Sequence, residues 1–246
     1  MIEIEDLYKS FNHRNVLNGL SLNVQRGEIL AVIGGSGVGK SVLLKHITGL
    51  VRPDRGTIKV DGQEITNLRG KLLVNYRERI GFLFQGGALF DSMTVFENVA
   101  FPLREKTKLK EEQISKSVYE ILEHVGMQDD GDKYPAELSG GMQKRAALAR
   151  ALITNPEIML FDEPTTGLDP IIVNSVFKYI KSTHQQIGFT GVIVTHKIPK
   201  IFSIVQKVAL LSKGVIVASG TPDELQRSAD PVVEYFLSGG EKGKSS

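Results

Sequence analysis

The chain has 246 residues, of which 41% are hydrophobic, and this content suits a folded core rather than a disordered chain. With 30 basic and 28 acidic side chains the net charge is +2, which does not indicate a nucleic-acid-binding protein. The absence of cysteine excludes disulfides and thiolate metal sites. No apolar run approaches the roughly 18 residues of a membrane span. The N-terminal segment is acidic where a signal peptide is basic, so we expect a cytoplasmic protein.

The first third of the chain alternates between predicted strands and helices. A continuous apolar strand runs into a glycine-rich loop and then a helix, and Asp61-Gly62 is typical of a tight hairpin turn. In chain order we predict strands Ile2–Leu7, Leu20–Val24 and Glu28–Ile33, helix Lys40–Thr48, hairpin strands Thr57–Val60 and Gln63–Ile65, helix Arg69–Arg79 and strand Ile80–Phe84.

From about residue 86 to residue 154 the pattern predicts helices and no strand. Alternation of strand and helix then resumes. The predicted elements are helices Val95–Arg104, Lys110–Val125 and Met142–Ile153, strand Glu157–Phe161, helix Pro170–Gln186, strands Gly191–Thr195, Lys207–Leu211 and Val215–Ala218, and helix Pro222–Arg227. The apolar strands suit a parallel sheet covered on both faces. We therefore predict an α/β domain, residues 1–228, whose core (1–85 and 155–228) is interrupted by a helical subdomain (86–154). A C-terminal tail, 229–246, follows, and we expect its final segment GGEKGKSS, residues 239–246, to be flexible and polar.

One glycine-rich segment has the residues of a phosphate-binding loop. It matches G-x-x-x-x-G-K-S between a strand and a helix, where backbone amides surround phosphate, a lysine faces the β- and γ-phosphates, and a serine hydroxyl binds Mg²⁺. The motif comprises Gly34, Gly35, Ser36, Gly37, Val38, Gly39, Lys40 and Ser41. The alternative is a glycine-rich turn with a surface lysine. In the context of strand and helix we predict a phosphate-binding loop of a nucleotide site.

Two acidic residues end another predicted buried strand, in the segment IMLFDEP. Ligands of open α/β sheets bind at the carboxyl ends of strands, so we expect Asp162 to hold Mg²⁺. Glu163 is placed to activate the attacking water as a general base. Taken alone, such a pair is also typical of a solvated turn or a helix cap.

Two further polar residues follow predicted strands. Gln85 precedes Gly86-Gly87, and its amide is suited to contact Mg²⁺ or the attacking water on a glycine hinge. His196 follows GVIVT, where a neutral imidazole would bond the γ-phosphate. The alternatives are an ordinary polar loop residue for Gln85 and a histidine at a helix start for His196.

The segment LSGGM contains a second anion-binding turn, with Ser139, Gly140 and Gly141 at the start of a predicted helix. It has no lysine and no preceding strand, so it is not a complete nucleotide site. Read alone, it is a glycine-capped helix start.

The order of these segments resembles the ATP-binding domain of ATP-binding-cassette (ABC) ATPases, from Ile2 to about Leu225. In that family the segments correspond to Walker A (Gly34–Ser41), the Q-loop (Gln85), the signature (Leu138–Met142), Walker B (Ile158–Glu163), the D-loop (Gly167–Asp169) and the switch histidine (His196). The resemblance implies a P-loop NTPase fold, with a RecA-like core of mainly parallel strands, an N-terminal antiparallel β subdomain and an inserted helical subdomain. It also matches Phe11 to the aromatic residue that stacks on adenine. Tyr8 is the alternative, and either ring is equally typical of a core.

The resemblance also explains why one chain carries two anion-binding turns. In the family two domains pair head to tail, and the signature of one closes on the ATP held by the other, so we expect a homodimer. Two positions depart from common family residues: Met142 where many members have Gln, and Gly167 where many have Ser or Ala. Neither change removes the glycines or acids of the motifs.

The segment from Phe84 to Leu109 is rich in apolar residues and resembles the family's groove for a membrane permease. Its sequence is similar to that of the ABC ATPases that serve Mla-type phospholipid transport. That likeness implies a separate permease, an MCE-domain lipid-binding protein, a possible small cytoplasmic subunit, no nucleic acid, and a peripheral location at the cytoplasmic face of the inner membrane. The alternatives are an amino-acid or methionine importer and a non-transport ABC ATPase. Family members with a longer tail use it to contact the neighbouring ATPase, and the tail EKGKSS leaves that contact open.

Overall fold

The computed structural model describes residues 1–198 and 200–238. These residues divide into two compact units, the first formed by Met1–Arg77 with Thr190 onward and the second by Glu78–Phe189. The boundaries expected from the sequence, with a helical subdomain at 86–154, stay a prediction. In chain order the described elements are β1 (Ile2–Phe11), β2 (Arg14–Val24), β3 (Ile29–Ile33), α1 (Lys40–Ile47), β4 (Arg55–Val60), β5 (Gln63–Glu64), α2 (Gly70–Glu78), β6 (Ile80–Leu83), α3 (Val95–Lys106), α4 (Glu111–His124), α5 (Gly140–Leu152), β7 (Ile158–Asp162), α6 (Pro170–Ile187), β8 (Thr190–Thr195), β9 (Lys207–Ser212), β10 (Val215–Gly220), α7 (Pro222–Gln226) and α8 (Pro231–Leu237).

The first unit begins with an antiparallel sheet in the order β2-β1-β4-β5. Strands β1 and β2 are longer than predicted. The prediction was too short because the alternation of apolar and polar residues is broken within both strands. Asp6 has φ +49° and its N–H donates to the Ser21 hydroxyl at 3.0 Å. The pairing register between β1 and β2 shifts between Ile4 and Leu7. This bulge interrupts the period-two pattern at the point where the predicted strand ended.

A second sheet of the first unit has mainly parallel strands. β3 pairs in parallel with β8 on one side and with β9 on the other, and β10 pairs with β9 in the antiparallel direction. Every residue of β3 is fully buried. The parallel arrangement predicted from continuous apolar runs is confirmed for β3 and β8.

Side chains of α2 satisfy the backbone at the end of α1. The Tyr76 hydroxyl donates to the Ile47 carbonyl at 2.6 Å. The Arg77 guanidinium donates to the Thr48 carbonyl at 3.1 Å and to the Gly49 carbonyl at 3.0 Å. The last carbonyls of a helix have no partner within the helix, so these bonds stabilise the end of α1.

The second unit pairs β6 with β7 in parallel and also contains helices α3 to α6. The register aligns Ile80 with Ile158 and Leu83 with Phe161. The structure describes all residues from 86 to 154, and none of them is in a strand, as predicted. Helices α3, α4 and α5 fill that interval, and α6 follows β7.

The C-terminal part of the first unit contains a helix that the sequence analysis did not assign. The Asp230 side chain caps α8 by accepting from the Val232 N–H at 2.8 Å, and Pro231 occupies its first turn. These residues are a typical start signal for a short helix. The flexible segment predicted at 239–246 lies outside the described residues.

A glycine inside β6 provides a test of packing in the second unit. A Cβ at Gly81 would overlap the Met159 sulfur and lie 2.5 Å from the Ala151 carbonyl oxygen. We expect Gly81→Ala to lower the free energy of unfolding by about 1–3 kcal/mol, since backbone cannot yield as a side chain does. Urea unfolding measures the difference. The control is Gly86→Ala, whose Cβ would meet nothing within 4 Å. Equal stability of the two variants would contradict the packing at β6.

Candidate functional site

The phosphate-binding loop lies between the end of β3 and the start of α1. Gly37 and Gly39 have φ values of +74° and +109°, which glycine adopts without strain. The helix starts at Lys40, whose ammonium donates to the carbonyl oxygens of Gly34 and Gly35 at 2.9 Å each. The Lys40 side chain is therefore folded over the phosphate-binding loop and hydrogen-bonded to it. The backbone N–H groups at the start of α1 are suited to bind an anion such as phosphate.

The glycines of this loop are not equivalent. A Cβ at Gly34 would overlap the Leu211 carbonyl oxygen of β9, and a Cβ at Gly39 would lie 3.0 Å from the Leu17 side chain and 3.1 Å from the Val16 carbonyl. A Cβ at Gly35 would make only an ordinary contact at 3.7 Å, and one at Gly37 would meet nothing within 4 Å. The two glycines that the motif fixes are thus the two that pack against other strands of the first unit.

Strand pairing places His196 at the same edge of the sheet as the loop. Ile33 pairs with Thr195 in the parallel register of β3 and β8. Gly34 and His196 therefore leave their strands at the same level. His196 is exposed, and the following turn is fixed by the Thr195 hydroxyl, which accepts from the Lys197 N–H at 3.0 Å. The predicted bond from His196 to the γ-phosphate stays a prediction.

Both candidate adenine-stacking rings lie on β1 and are exposed. Phe11 is 43% exposed at the hairpin end of the strand, with the Lys9 ammonium 5.3 Å from its ring centre. Tyr8 is 37% exposed, lies 5.3 Å from the Arg55 guanidinium and packs over Gly19. The choice between them stays a prediction.

The second unit places three predicted polar residues at one edge of its strand pair. Leu83 pairs with Phe161, so Asp162, the last residue of β7, and Gln85, two residues beyond β6, lie near the same end of the strand pair. Glu163 is 8% exposed, has φ +48°, and accepts from the Thr166 hydroxyl at 3.2 Å. An unusual backbone conformation at a buried carboxylate is typical of functional positions. Ser41 lies in the first unit, so its grouping with Asp162 and Gln85 around one ion stays a prediction.

The signature turn is a capped helix start in the second unit. Ser139 is the N-cap of α5, and its hydroxyl accepts from the Met142 N–H at 3.3 Å. Gly140 and Ser139 are exposed, whereas Gly141 is buried. A Cβ at Gly141 would overlap the Ile172 side chain of α6, and one at Gly140 would lie 3.3 Å from Leu168. The helix reading is confirmed, and packing against α6 gives these glycines a role that the sequence analysis missed.

The apolar segment from Phe84 to Leu109 is divided between core and surface. Val95 is fully buried, whereas Phe84 and Phe90 are each 43% exposed. The exposed rings line a groove of about 440 Å³, and the Phe101 ring meets the Phe90 ring at 5.1 Å. The groove is lined by Ile80, Gly81, Phe82, Phe84, Ala88, Phe90, Phe101, Pro102, Lys106, Arg150, Ala151 and Thr154.

A second feature that the sequence analysis missed is Arg150 of α5. Its guanidinium donates to the carbonyl oxygens of Gly87 at 2.8 Å and Ala88 at 2.7 Å, just after Gln85. Burial lowers the pKa of the Arg150 guanidinium, although an arginine keeps its charge in proteins. The only sequence signal was an arginine in an alanine-rich helix, and helical periodicity alone does not identify its partners.

These features define a P-loop nucleoside triphosphatase: a glycine-rich loop with a lysine between a parallel strand and a helix, and acidic residues after a buried strand. The protein family described as "ABC transporter" matches residues 17–166, and the chain belongs to this family. The chain is therefore an ABC ATPase.

Named relatives cover nearly the whole chain. It is 41% identical over 239 residues to the intermembrane phospholipid transport system ATP-binding protein MlaF of Escherichia coli K12, covering 97% of this chain and 89% of MlaF. It is 43% identical over 238 residues to the probable ribonucleotide transport ATP-binding protein mkl of Mycobacterium leprae, covering 97% of this chain and 69% of mkl.

A solved structure has the same fold. The dimeric post-hydrolysis state of the ATP-binding cassette MJ0796, bound to ADP and Pi, is 30% identical, with a TM-score of 0.82 over 90% of this chain and 99% of that chain. In residues 1–198 and 200–238, none of the helices has the length and apolar character to cross a membrane.

The contact of Gly141 with α6 gives a prediction that is independent of nucleotide. We expect Gly141→Ala to lower the free energy of unfolding by about 1–3 kcal/mol, because the new methyl group overlaps Ile172. Adding Ile172→Ala should recover part of that loss. Urea unfolding of both single variants and the double variant measures the coupling. The control is Gly140→Ala, whose methyl group needs only a small shift of the Leu168 side chain. Additive losses at Gly141 and Ile172 would contradict the contact.

Proposed function

We propose that the chain is the ATP-hydrolysing subunit of an ABC transporter that moves phospholipid between bacterial membranes through a separate permease and an MCE-domain partner. The observation that carries this proposal is the similarity to MlaF, which extends over 97% of this chain and 89% of that protein. The similarity to mkl covers only 69% of mkl. A protein matched over nearly its whole length is the better guide to function.

The proposed site roles follow from the chemistry of each half-site. Backbone amides of the loop from Gly34 to Ser41 bind the phosphates, and Lys40 exchanges its loop carbonyls for phosphate oxygens. Phe11 stacks on adenine. Glu163 takes a proton from the attacking water, and His196 bonds the γ-phosphate. Gln85 orients the water or the metal-bound oxygens.

The oxygen atoms of Ser41, Asp162 and Gln85 fit a magnesium ion in their chemistry. Mg²⁺ prefers hydroxyl, carboxylate and amide oxygens and is commonly held by one or two protein groups together with substrate phosphates. When bound, it would neutralise charge on the phosphate oxygens. The residues that would hold it are Ser41 and Asp162, with Gln85 as a third contact.

We propose a homodimer in which each signature turn faces the nucleotide of the partner subunit. Ser139 and the amides of Gly140 and Gly141 stand at the N-terminus of a 13-residue helix, where an anion is stabilised. The signature has no lysine, so it complements the P-loop rather than duplicating it. The dimeric state of the similar cassette structure supports this arrangement.

The groove at Phe84 and Phe90 is the proposed docking site for a permease helix. A docking groove requires exposed apolar surface, and both rings are 43% exposed beside the Gln85 loop. A partner that embeds in the inner membrane would hold the ATPase at its cytoplasmic face. The net charge of +2 does not favour a nucleic-acid partner.

The general-base role of Glu163 has a direct test. Glu163→Gln should keep ATP binding within about threefold but lower turnover by about 100-fold or more, because the base is lost and the phosphate cradle is kept. The variant should also accumulate as an ATP-dependent dimer. Nucleotide titration, phosphate release and size-exclusion chromatography measure the three effects. Lys40→Ala is the comparison and should weaken binding itself. Native turnover in Glu163→Gln would reject the assignment.

The transport proposal is tested by recovering a tagged chain from detergent-solubilised native membranes. We expect a multispanning permease, an MCE-domain protein and bound phospholipid. Phe90→Asp should release the permease, whereas Tyr235→Asp, a matched change of an exposed ring on α8, should not. A permease with a solute-binding protein and no lipid would indicate an importer, including one for ribonucleotides. Ribosomes without a permease would indicate a non-transport ATPase.

A further inference from the structure

Arg150 joins the signature helix to the loop that carries Gln85. Its two terminal nitrogens donate to the carbonyl oxygens of Ala88 at 2.7 Å and Gly87 at 2.8 Å. The guanidinium also lies 5.7 Å from the centre of the Phe90 ring. A planar fork that reaches two adjacent carbonyls fixes their direction as well as their distance.

The backbone is left-handed at both of these residues, a conformation that is unfavourable only for Ala88. Gly87 and Ala88 have φ values of +77° and +52°. A residue with a Cβ rarely adopts the left-handed region, so Ala88 is held there by its surroundings. The two successive left-handed residues turn both carbonyls towards Arg150. The Gly87 N–H donates back to the Phe84 carbonyl at 2.9 Å, so Gln85 is enclosed within a tight turn.

The far end of the same loop is attached to Arg150 through Asn98. This asparagine is fully buried, and its amide nitrogen donates at 3.0 Å to the carbonyl oxygens of Phe90, Met93 and Thr94. Its amide oxygen accepts from the Phe90 N–H at 2.8 Å and from Arg150 at 3.5 Å. The loop is therefore held at both ends by side chains that meet at α5.

We propose that Arg150 is a positioning residue for Gln85, fixing the Gln85 loop to the helix that begins at the signature. The proposal rests on the proposed function of Gln85 in hydrolysis. It predicts that movement of the loop, caused by an occupant of the groove at Phe90, is transmitted to α5. Arg150 holds the loop through the Gly87 and Ala88 carbonyls, the Phe90 ring and the Asn98 amide oxygen, and it acts on the reaction through Gln85.

The test uses Arg150→Lys in the full chain. Lysine keeps the charge but offers one compact ammonium in place of a two-pronged fork. We expect turnover to fall about tenfold while the ATP dissociation constant stays within about twofold. Arg145→Lys is the matched control. Arg145 lies on the same helix, donates to the Gly126 carbonyl at 2.6 Å and the Val125 carbonyl at 3.3 Å, and stacks 5.6 Å from Tyr179. Arg145→Lys removes a guanidinium nitrogen that bonds two successive carbonyls at a loop remote in sequence from Gln85, and thermal unfolding of both variants compares their stabilities.

A double-variant cycle with Gln85→Ala separates positioning from general loss of structure. If Arg150 acts through Gln85, Arg150→Lys lowers turnover no further once Gln85 is absent, whereas the effect of Arg145→Lys adds to it. Full additivity for Arg150, or native turnover in Arg150→Lys, overturns the inference while leaving the role of Gln85 intact. Native turnover in Gln85→Ala instead overturns the proposed function of Gln85, and the inference with it.

Discussion

The register of β3 fixes the position of the phosphate-binding half of the molecule. β3 is paired in parallel on both edges, and all five of its residues are fully buried. A slip by one residue would reverse the faces of a strand and misplace every side chain in it, so strong burial specifies a single register. Gly34 follows the strand directly, and Thr195 is paired level with Ile33. Strand pairing alone therefore places the phosphate-binding loop and His196 at the same edge of the sheet.

Burial also explains which strands and helices could be predicted from the sequence. A strand covered on both faces requires a continuous apolar run, and this requirement leaves little ambiguity at β3, β7 and β8. The long hairpin of β1 and β2 was recognised only in part, because the bulge at Asp6 breaks the alternation that identifies a half-buried strand. α8 has seven residues, too few for a helical period to stand out, and only Asp230-Pro231 signals its start.

The candidate site shows the same division between local and distant information. The P-loop was predictable because its glycines, its lysine and its helix are contiguous in the sequence. The partners of Arg150 are 62 and 63 residues away, and no pattern within α5 indicates them. The contact of Gly141 with Ile172 is likewise set by the packing of two helices. Local chemistry thus predicted which groups bind or react, whereas tertiary packing determines what holds them in place.

The P-loop glycines differ in how tightly they pack, and this difference affects how activity can be inferred from the sequences of related proteins. Gly34 and Gly39 are required by the backbone of neighbouring strands, a constraint that acts whenever the chain folds. Glu163 is proposed to act only when ATP is hydrolysed. In a lineage that abandoned hydrolysis, selection on the carboxylate would relax while the two glycines remained. In a related protein that has lost hydrolysis, the presence of both glycines would therefore indicate only an intact fold. The presence or absence of the carboxylate at the position of Glu163 would be the better indicator of ATPase activity.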